Sequence, residues 1–321
     1  MNIDIVYLWV DGNDPVWRAK KEAFERGMPY GAGEALAEAR FVDNDELKYS
    51  LRSIERFAPW IHHIYIVTDG QVPAWIDLTD ERISIVDHTE IMPREALPSF
   101  SSPAIEWCID NIPGLSEHFL LANDDTFIGR EATPADFFTP SGYPIVRLRK
   151  RHKSKRSAET QYMKTLFKSQ NAVAEAFGYT CDYIPHHNID AYRKSDFKAC
   201  KALFSKEVEP TVCRHLRHEE DLQRAVILYY ALAIGHGAMK KMGRYNKKAS
   251  LGERIKGTLQ GRFYYDSRSI SIAEKDIRSI VNRYNPLLFC LNDNEHSTKE
   301  DRLRAQLFLE QMYPEKSSLE I

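Results

Sequence analysis

The chain has 321 residues, of which 43% are apolar and 28% charged, so it holds enough hydrophobic material for a sizeable core and is not a disordered tail. Forty-four basic side chains against 46 acidic ones leave a net charge of −2, which offers no global field for nucleic acid or an anionic membrane surface. Five scattered cysteines make neither a disulfide framework nor a zinc cage and favour a reducing compartment.

The N-terminal run Ile3-Asp4-Ile5-Val6-Tyr7-Leu8-Trp9-Val10 carries an acid and no basic region, so it reads as a strand and not as a signal peptide. It ends at the turn formers Asp11-Gly12-Asn13-Asp14-Pro15, where a nucleotide would meet a sheet edge or where the chain simply turns. Asp43 with Glu46 resembles a capping box, and Leu47, Leu51, Ile54 and Phe57 then predict a helix of about four turns up to Pro59. Strands follow at 64–68, stopping at Asp69-Gly70, and at 83–86, stopping at Asp87-His88. A helix-like stretch from Pro103 to Ile112 precedes a fourth strand, His118–Ala122, that runs into Asn123-Asp124-Asp125.

Apolar strands alternating with helices predict an α/β fold with a mostly parallel sheet and helices on both faces, its ligands beyond the carboxyl ends of the strands. The second half reads as more helical, over 160–177, 189–204, 219–236 and 297–312, with one late strand from Asn285 to Leu291. The basic stretches 147–156 and 240–262 read as flaps. The organisation expected is a nucleotide-sugar-binding half, 1–150, and a helical half, 151–321, that completes the active site; one integrated domain is equally compatible. No apolar run reaches the roughly 20 residues that cross a bilayer.

Adjacent carboxylates at a strand end, as in Asn123-Asp124-Asp125, offer hard oxygen ligands to Mg²⁺ or Mn²⁺; Asn and Asp equally suit a turn. Leu291-Asn292-Asp293-Asn294 repeats that chemistry, with the same two readings. His186, in Pro185-His186-His187, has the near-neutral pKa of a general base, and it could equally be a packed histidine. Arg214 and Arg217 stand before a helical pattern, where arginine forks and a helix N-terminus together suit a phosphate. Glu219, Glu220 and Asp221 fit the first turn of any helix.

Taken together, the stretches Ile3–Gly12, Arg40–Leu47, Ala58-Pro59-Trp60, Ile66–Gln71, Phe100–Glu106, Asn123-Asp124-Asp125, Pro185-His186, Arg217–Asp221 and Cys290–Asn294 resemble the Stealth proteins. That family comprises sugar-phosphate transferases of bacterial capsule synthesis and the animal N-acetylglucosamine-1-phosphotransferase. The resemblance runs from about residue 3 to residue 312. It implies a GT-A-like, Rossmann-like nucleotide-sugar transferase core that moves a hexose-1-phosphate from a UDP-sugar to a carbohydrate hydroxyl and releases UMP.

Carried over position by position, the resemblance makes Asp124 and Asp125 the metal acids, with Asp293 as a further candidate, His186 the essential histidine and Arg217 the essential arginine. Asp11, Gly12, Asn44, Arg52, Asp69 and Arg214 fall on the substrate-binding side, and His187 receives no role. Ala122 stands where the family has leucine, a change of packing only. The large inserted modules and anchors of the animal enzyme are not in this sequence, so recognition of lysosomal enzymes is not implied. A UDP-sugar donor, a polysaccharide acceptor, Mg²⁺ or Mn²⁺, and a cytoplasmic protein touching the inner membrane face at most are the expected partners and place.

Overall fold

A computed structural model describes residues 1–27, 41–150, 160–242, 266–294 and 296–321. Strand β1 (Ile3–Leu8) leads into helix α1 (Pro15–Arg26), whose first turn is closed by the Asp14 carboxylate accepting from the Val16 and Trp17 amides, with Pro15 where no amide hydrogen is needed. Helix α2 (Glu46–Phe57) buries Leu47, Leu51 and Ile54 on one side. It has twelve residues, just over three turns, and the capping box is absent. Asp45, at φ 64°, precedes the helix without a side-chain cap; Asp43 accepts from the Asp45 amide, and Glu46 turns back to Asn44.

Strands β2 (Ile64–Thr68) and β3 (Ile83–Asp87) fall where the sequence put them. After the short helix α3 (His88–Ile91), helix α4 (Ser102–Glu106) and a 3₁₀ turn over Ile109–Asn111 replace the single helix expected from 103 to 112. Then come β4 (His118–Asn123), β5 (Thr126–Ile128) and β6 (Ile145–Lys150). Helix α5 (Gln161–Phe177) is capped by Thr160 and followed by β7 (Tyr183–Pro185), β8 (Asp190–Arg193), α6 (Lys194–Leu203), α7 (Ser205–Val212) and α8 (Ala225–Ala233). Strands β9 (Ala238–Met242) and β10 (Ser267–Ser271), helix α9 (Ile277–Tyr284), β11 (Leu288–Asn292) and α10 (Lys299–Met312), with a Thr298/Asp301 capping box, complete the chain.

The main sheet has the order β3-β2-β1-β4-β8, and only the β4/β8 pairing is antiparallel. Two three-stranded sheets, β10-β11-β5 and β7-β6-β9, adjoin it. The mostly parallel α/β expectation therefore holds. Both faces of β1 are buried: Ile3, Ile5 and Tyr7 pack with Leu47, Leu51 and Ile54 of α2, and Val6 packs on the side of Trp107, Leu166 and Val226. Strand alternation divides these residues between two cores, which is why the strand reads as an unbroken apolar run.

Three expectations change. Residues 190–193 form an edge strand and not a helix, because pairing with the edge of β4 overrides their local preference. The helix expected from 219 begins at Ala225, so Arg214 and Arg217 do not sit at its N-terminus. Arg147 to Lys150 belong to β6, where Arg147 is buried and ion-paired to Asp266 at 2.7 Å, and 240–242 belong to β9; residues 151–156 and 243–262 of the presumed flaps lie outside the described residues.

Candidate active site

The carboxyl ends of β1, β4 and β11 open into a cleft of about 680 Å³, lined among others by Trp9, Glu46, His88, Asp124, Asp125 and Arg217. A second cavity, about 550 Å³, shares Ser102, Asn123, His187, Arg217 and Asn292 with it. The two are neighbouring rooms with a common wall.

Asp124 and Asp125 form the tight link between β4 and β5. Thr126 Oγ1 donates to the Asn123 carbonyl at 2.6 Å, and the Asp125 amide donates to Asp124 Oδ1 at 3.0 Å. Asp125 Oδ2 accepts from the Cys290 thiol at 3.1 Å and stands 3.7 Å from His187 Nε2, while its Oδ1 is buried with no hydrogen-bond partner among the described residues. Ligand atoms of Asp125, His187 and Cys290 all lie within 4.8 Å of one another.

This arrangement fits a divalent cation. Burial, then the charges of Asp125, Glu46 and Asp43, hold the Asp124 carboxyl well above the usual range, so the group is a set of acids lacking a counter-charge. Burial first, then Asp125, drives the Cys290 thiol upward, which keeps it protonated as a donor to Asp125 and unsuited as a ligand. Asp125 and His187 are the residues of this cluster suited to hold the ion, and Asp124 lines the cleft beside them. Two carboxylates suit Mg²⁺ or Mn²⁺, and the imidazole leans toward the transition metal.

Two acids escaped the sequence reading. Asp43 is pushed up to about 6 and Glu46 to about 7, each chiefly by burial, and Glu46 lines the cleft. Their spacing signalled a helix cap, which concealed that the loop folds them toward Asp124. His187 also escaped, since adjacent histidines look alike in sequence. Burial pushes it down, but the Asp125 hydrogen bond and charge outweigh that and its pKa is raised.

His186 points the other way, into the second cavity. Ser267 Oγ lies 3.0 Å from its Nδ1 and is itself engaged by the Asn188 amide, a chain from β10 to β7 that fixes the ring and leaves Nε2 for chemistry. Burial, then Arg149 and His187, lowers its pKa to about 4, so the ring is neutral at physiological pH. Arg217 lines both cavities and donates to Ser102 Oγ at 2.5 Å.

The remaining candidates separate. Arg214 lines neither cavity: it binds Asp221 at 2.8 Å, and Asp221 in turn accepts from the His218 amide, closing the loop before α8. Arg52 is not brought to the cleft either. Its guanidinium grips both oxygens of Glu320 at 2.6 and 2.7 Å and the Tyr313 carbonyl, pinning the end of the chain to α2.

Asn44 is spent on Glu46, through two bonds of 2.6 and 2.8 Å. Asp293 lines the cleft, but Arg302 neutralises it at 2.7 Å, so it is a poor second metal acid. The Asp11 amide and carbonyl are tied to the Gln71 side chain, and a Cβ on Gly12 would sit 2.0 Å from the Phe41 carbonyl, so the close approach Gly12 permits is to the protein's own loop. Asp69 bonds Lys20 at 2.5 Å and faces His88 at 3.8 Å behind the cleft wall.

Comparison with known proteins places this geometry. Residues 1–29 match the Stealth protein CR1, conserved region 1, and residues 40–146 match the Stealth protein CR2, conserved region 2. An exopolysaccharide phosphotransferase of Streptomyces coelicolor is 37% identical over 97% of this chain and 54% of its own length. A capsular polysaccharide phosphotransferase of Haemophilus influenzae is 31% identical over 92% of this chain and 79% of its own length. Against other curated relatives the chain spans a smaller part: 24% of a second Streptomyces coelicolor protein and 41% of one from Lactiplantibacillus plantarum. Among solved structures, the galactosyltransferase LgtC, in complex with donor and acceptor sugar analogues, matches with a TM-score of 0.44 and 10% identity over 98% of this chain and 96% of its own. On its similarity along most of its length to the capsular polysaccharide phosphotransferase, and on its two matched conserved regions, the chain belongs to the Stealth family.

Proposed function

We propose that the protein transfers a hexose-1-phosphate, with N-acetylglucosamine-1-phosphate the first donor to try, from a UDP-sugar to a carbohydrate hydroxyl and releases UMP, in the making of a capsule or exopolysaccharide. The observation that carries this is the common wall between the two cavities, which holds His187 and Arg217, with Asp125 on the first side and His186 on the second. A donor diphosphate in the first cavity and an acceptor hydroxyl in the second would face each other across it.

In this reading Asp125, with Asp124 and His187, holds Mg²⁺ or Mn²⁺, which when bound offsets the charge of the diphosphate. Arg217, oriented by Ser102, lies against the phosphoryl being moved and stabilises its charge. His186 Nε2 accepts the proton of the acceptor hydroxyl, whose oxygen bonds to the phosphorus nearest the sugar. The bond from that phosphorus to the bridging oxygen breaks, and UMP leaves with that oxygen and its electron pair. The sugar's anomeric bond is untouched.

A free-protein pKa of about 4 would make His186 a weak base, but a bound diphosphate adds negative charge to its surroundings and raises it toward the working range. Positioning and charge stabilisation do most of the work in phosphoryl transfer, which accords with a site of so few reactive groups. The printed names of the relatives support a polysaccharide acceptor. No helix among the described residues is long and apolar enough to cross a membrane. Lipid-linked or growing acceptors would be met at the inner membrane face.

The test is to incubate the protein with UDP-N-acetylglucosamine, Mg²⁺ or Mn²⁺ and a carbohydrate acceptor and identify the nucleotide released. UMP is expected. UDP as the sole product would replace this reading with ordinary glycosyl transfer.

A further inference from the structure

We propose that the second cavity is the acceptor subsite and that it is built for a neutral hexose, read by Glu106, Asp190, Tyr192 and Arg224 and supported by the ring of Tyr162. That there is an acceptor at all rests on the transferase reading above. The identity and chemistry of its subsite come from the cavity itself.

Its floor is a set of polar groups brought together from three elements. Arg224, just before α8, sends Nε to Glu106 of α4 at 3.4 Å and Nη2 to Asp190 of β8 at 3.6 Å. All three residues are at least nine-tenths buried. Arg224 Nη1 and the Tyr192 hydroxyl are buried in the same place, where the guanidinium acts on the hydroxyl, and neither makes a hydrogen bond of ordinary length and angle among the described residues. Buried donors left unmatched destabilise a fold, so two of them facing one cavity call for oxygen atoms from something that enters it.

The charges select what enters. Three arginines (Arg149, Arg217, Arg224) and three carboxylates (Glu106, Asp190, Asp221) line the cavity, so its charges balance and favour an ion of neither sign. It suits a molecule that both gives and takes hydrogen bonds without a charge of its own. Vicinal hydroxyls of a hexose do this: they donate to Glu106 and Asp190 and accept from Arg224 Nη1 and the Tyr192 hydroxyl. Tyr162, 43% exposed at the start of α5, lines the same cavity and supplies an apolar face for the ring of the sugar.

A volume of about 550 Å³ is ample for one sugar unit, and it lies in the range usual for ligand sites, about 300–1,000 Å³. His186 lines this cavity and not the first, so a hydroxyl of a sugar held here meets the base without entering the nucleotide cleft.

The probes are methyl glycosides of glucose, galactose, mannose and N-acetylglucosamine, observed by saturation-transfer NMR on the full chain with UMP present. At least one glycoside should receive saturation while UMP is bound, and Asp190→Asn and Tyr162→Ala should each weaken its binding about 10-fold. Tyr162 is exposed, so its variant keeps the test valid if Asp190→Asn fails to fold. The assignment is overturned if no glycoside binds the wild type, if UMP displaces it, or if binding survives both substitutions. In steady-state assays the acceptor KM should rise about 10-fold and the donor KM stay within about twofold. The nucleotide product separates the two levels of argument: UDP in place of UMP would sink phosphoryl transfer, while the acceptor KM would still report on this cavity.

Discussion

Two strand ends of this protein carry nearly the same chemistry in sequence and opposite electrostatics in space. Asn123-Asp124-Asp125 ends β4 with carboxylates that have no cationic side chain among the described residues other than a half-exposed histidine, and one of their oxygens is buried and unmatched. Asn292-Asp293-Asn294 follows β11 with its only carboxylate held by Arg302 at 2.7 and 3.3 Å. The first is short of positive charge, and the second is already neutralised. A strand-end acid is therefore a metal candidate only where the fold withholds its counter-ion, and that is a property of distant residues such as Arg302, Glu46 and Asp43.

The largest effects should come from breaking this contrast directly. Asp125→Asn should lower kcat/KM for UMP release about 10³-fold, the scale of losing a cation's several kcal/mol at the transition state, whereas Asp293→Asn should stay within about 10-fold of wild type. Equal losses in the two variants, in parallel initial-rate assays across cation concentrations, would make the strand ends equivalent and refute the argument. Next in size is His186→Gln, expected to cost about 10²-fold in kcat, the lower range for a general base. Smaller again is Ser267→Ala. It removes the partner of Nδ1 and not the base, so a loss of about 10-fold is expected, together with a shifted pH–rate profile that a merely structural role would not produce.

The parallel strands were legible because burial on both faces leaves an unbroken apolar run, as in Ile64–Thr68 and Ile83–Asp87. Asp190–Arg193 was not, since its strand character comes from the vacant edge of β4 and not from its own four residues. The same division runs through the site. Asp125, His186 and Arg217, named from the family resemblance, line the cavities. Arg52 and Arg214 carry the residue type that suits a phosphate, but Glu320 and Asp221 capture them, and no spacing rule connects position 52 with position 320. His187 was passed over because only the fold separates it from His186, turning one ring to Asp125 and the other to Ser267.

Glu46 gives the finest measure of the contrast between the strand ends, through stability and not turnover. Its pKa rises from 4.5 to about 7 and that of Asp43 from 3.8 to about 6, burial being the largest cause in each. The folded state therefore keeps protons that the unfolded chain has released, and the linkage slope is negative. Stability from these groups is complete below the ordinary carboxylate range and is lost as pH climbs toward about 7. Metal-free protein should then melt at a lower temperature at about pH 8 than at about pH 5, by a few degrees, and Glu46→Gln should flatten that dependence. Asp293→Asn, at the ion-paired strand end, is the comparison variant in the same scans. If thermal scans in chelator gave Glu46→Gln the wild-type slope, the acids around β4 would not be the uncompensated cluster that a cation needs.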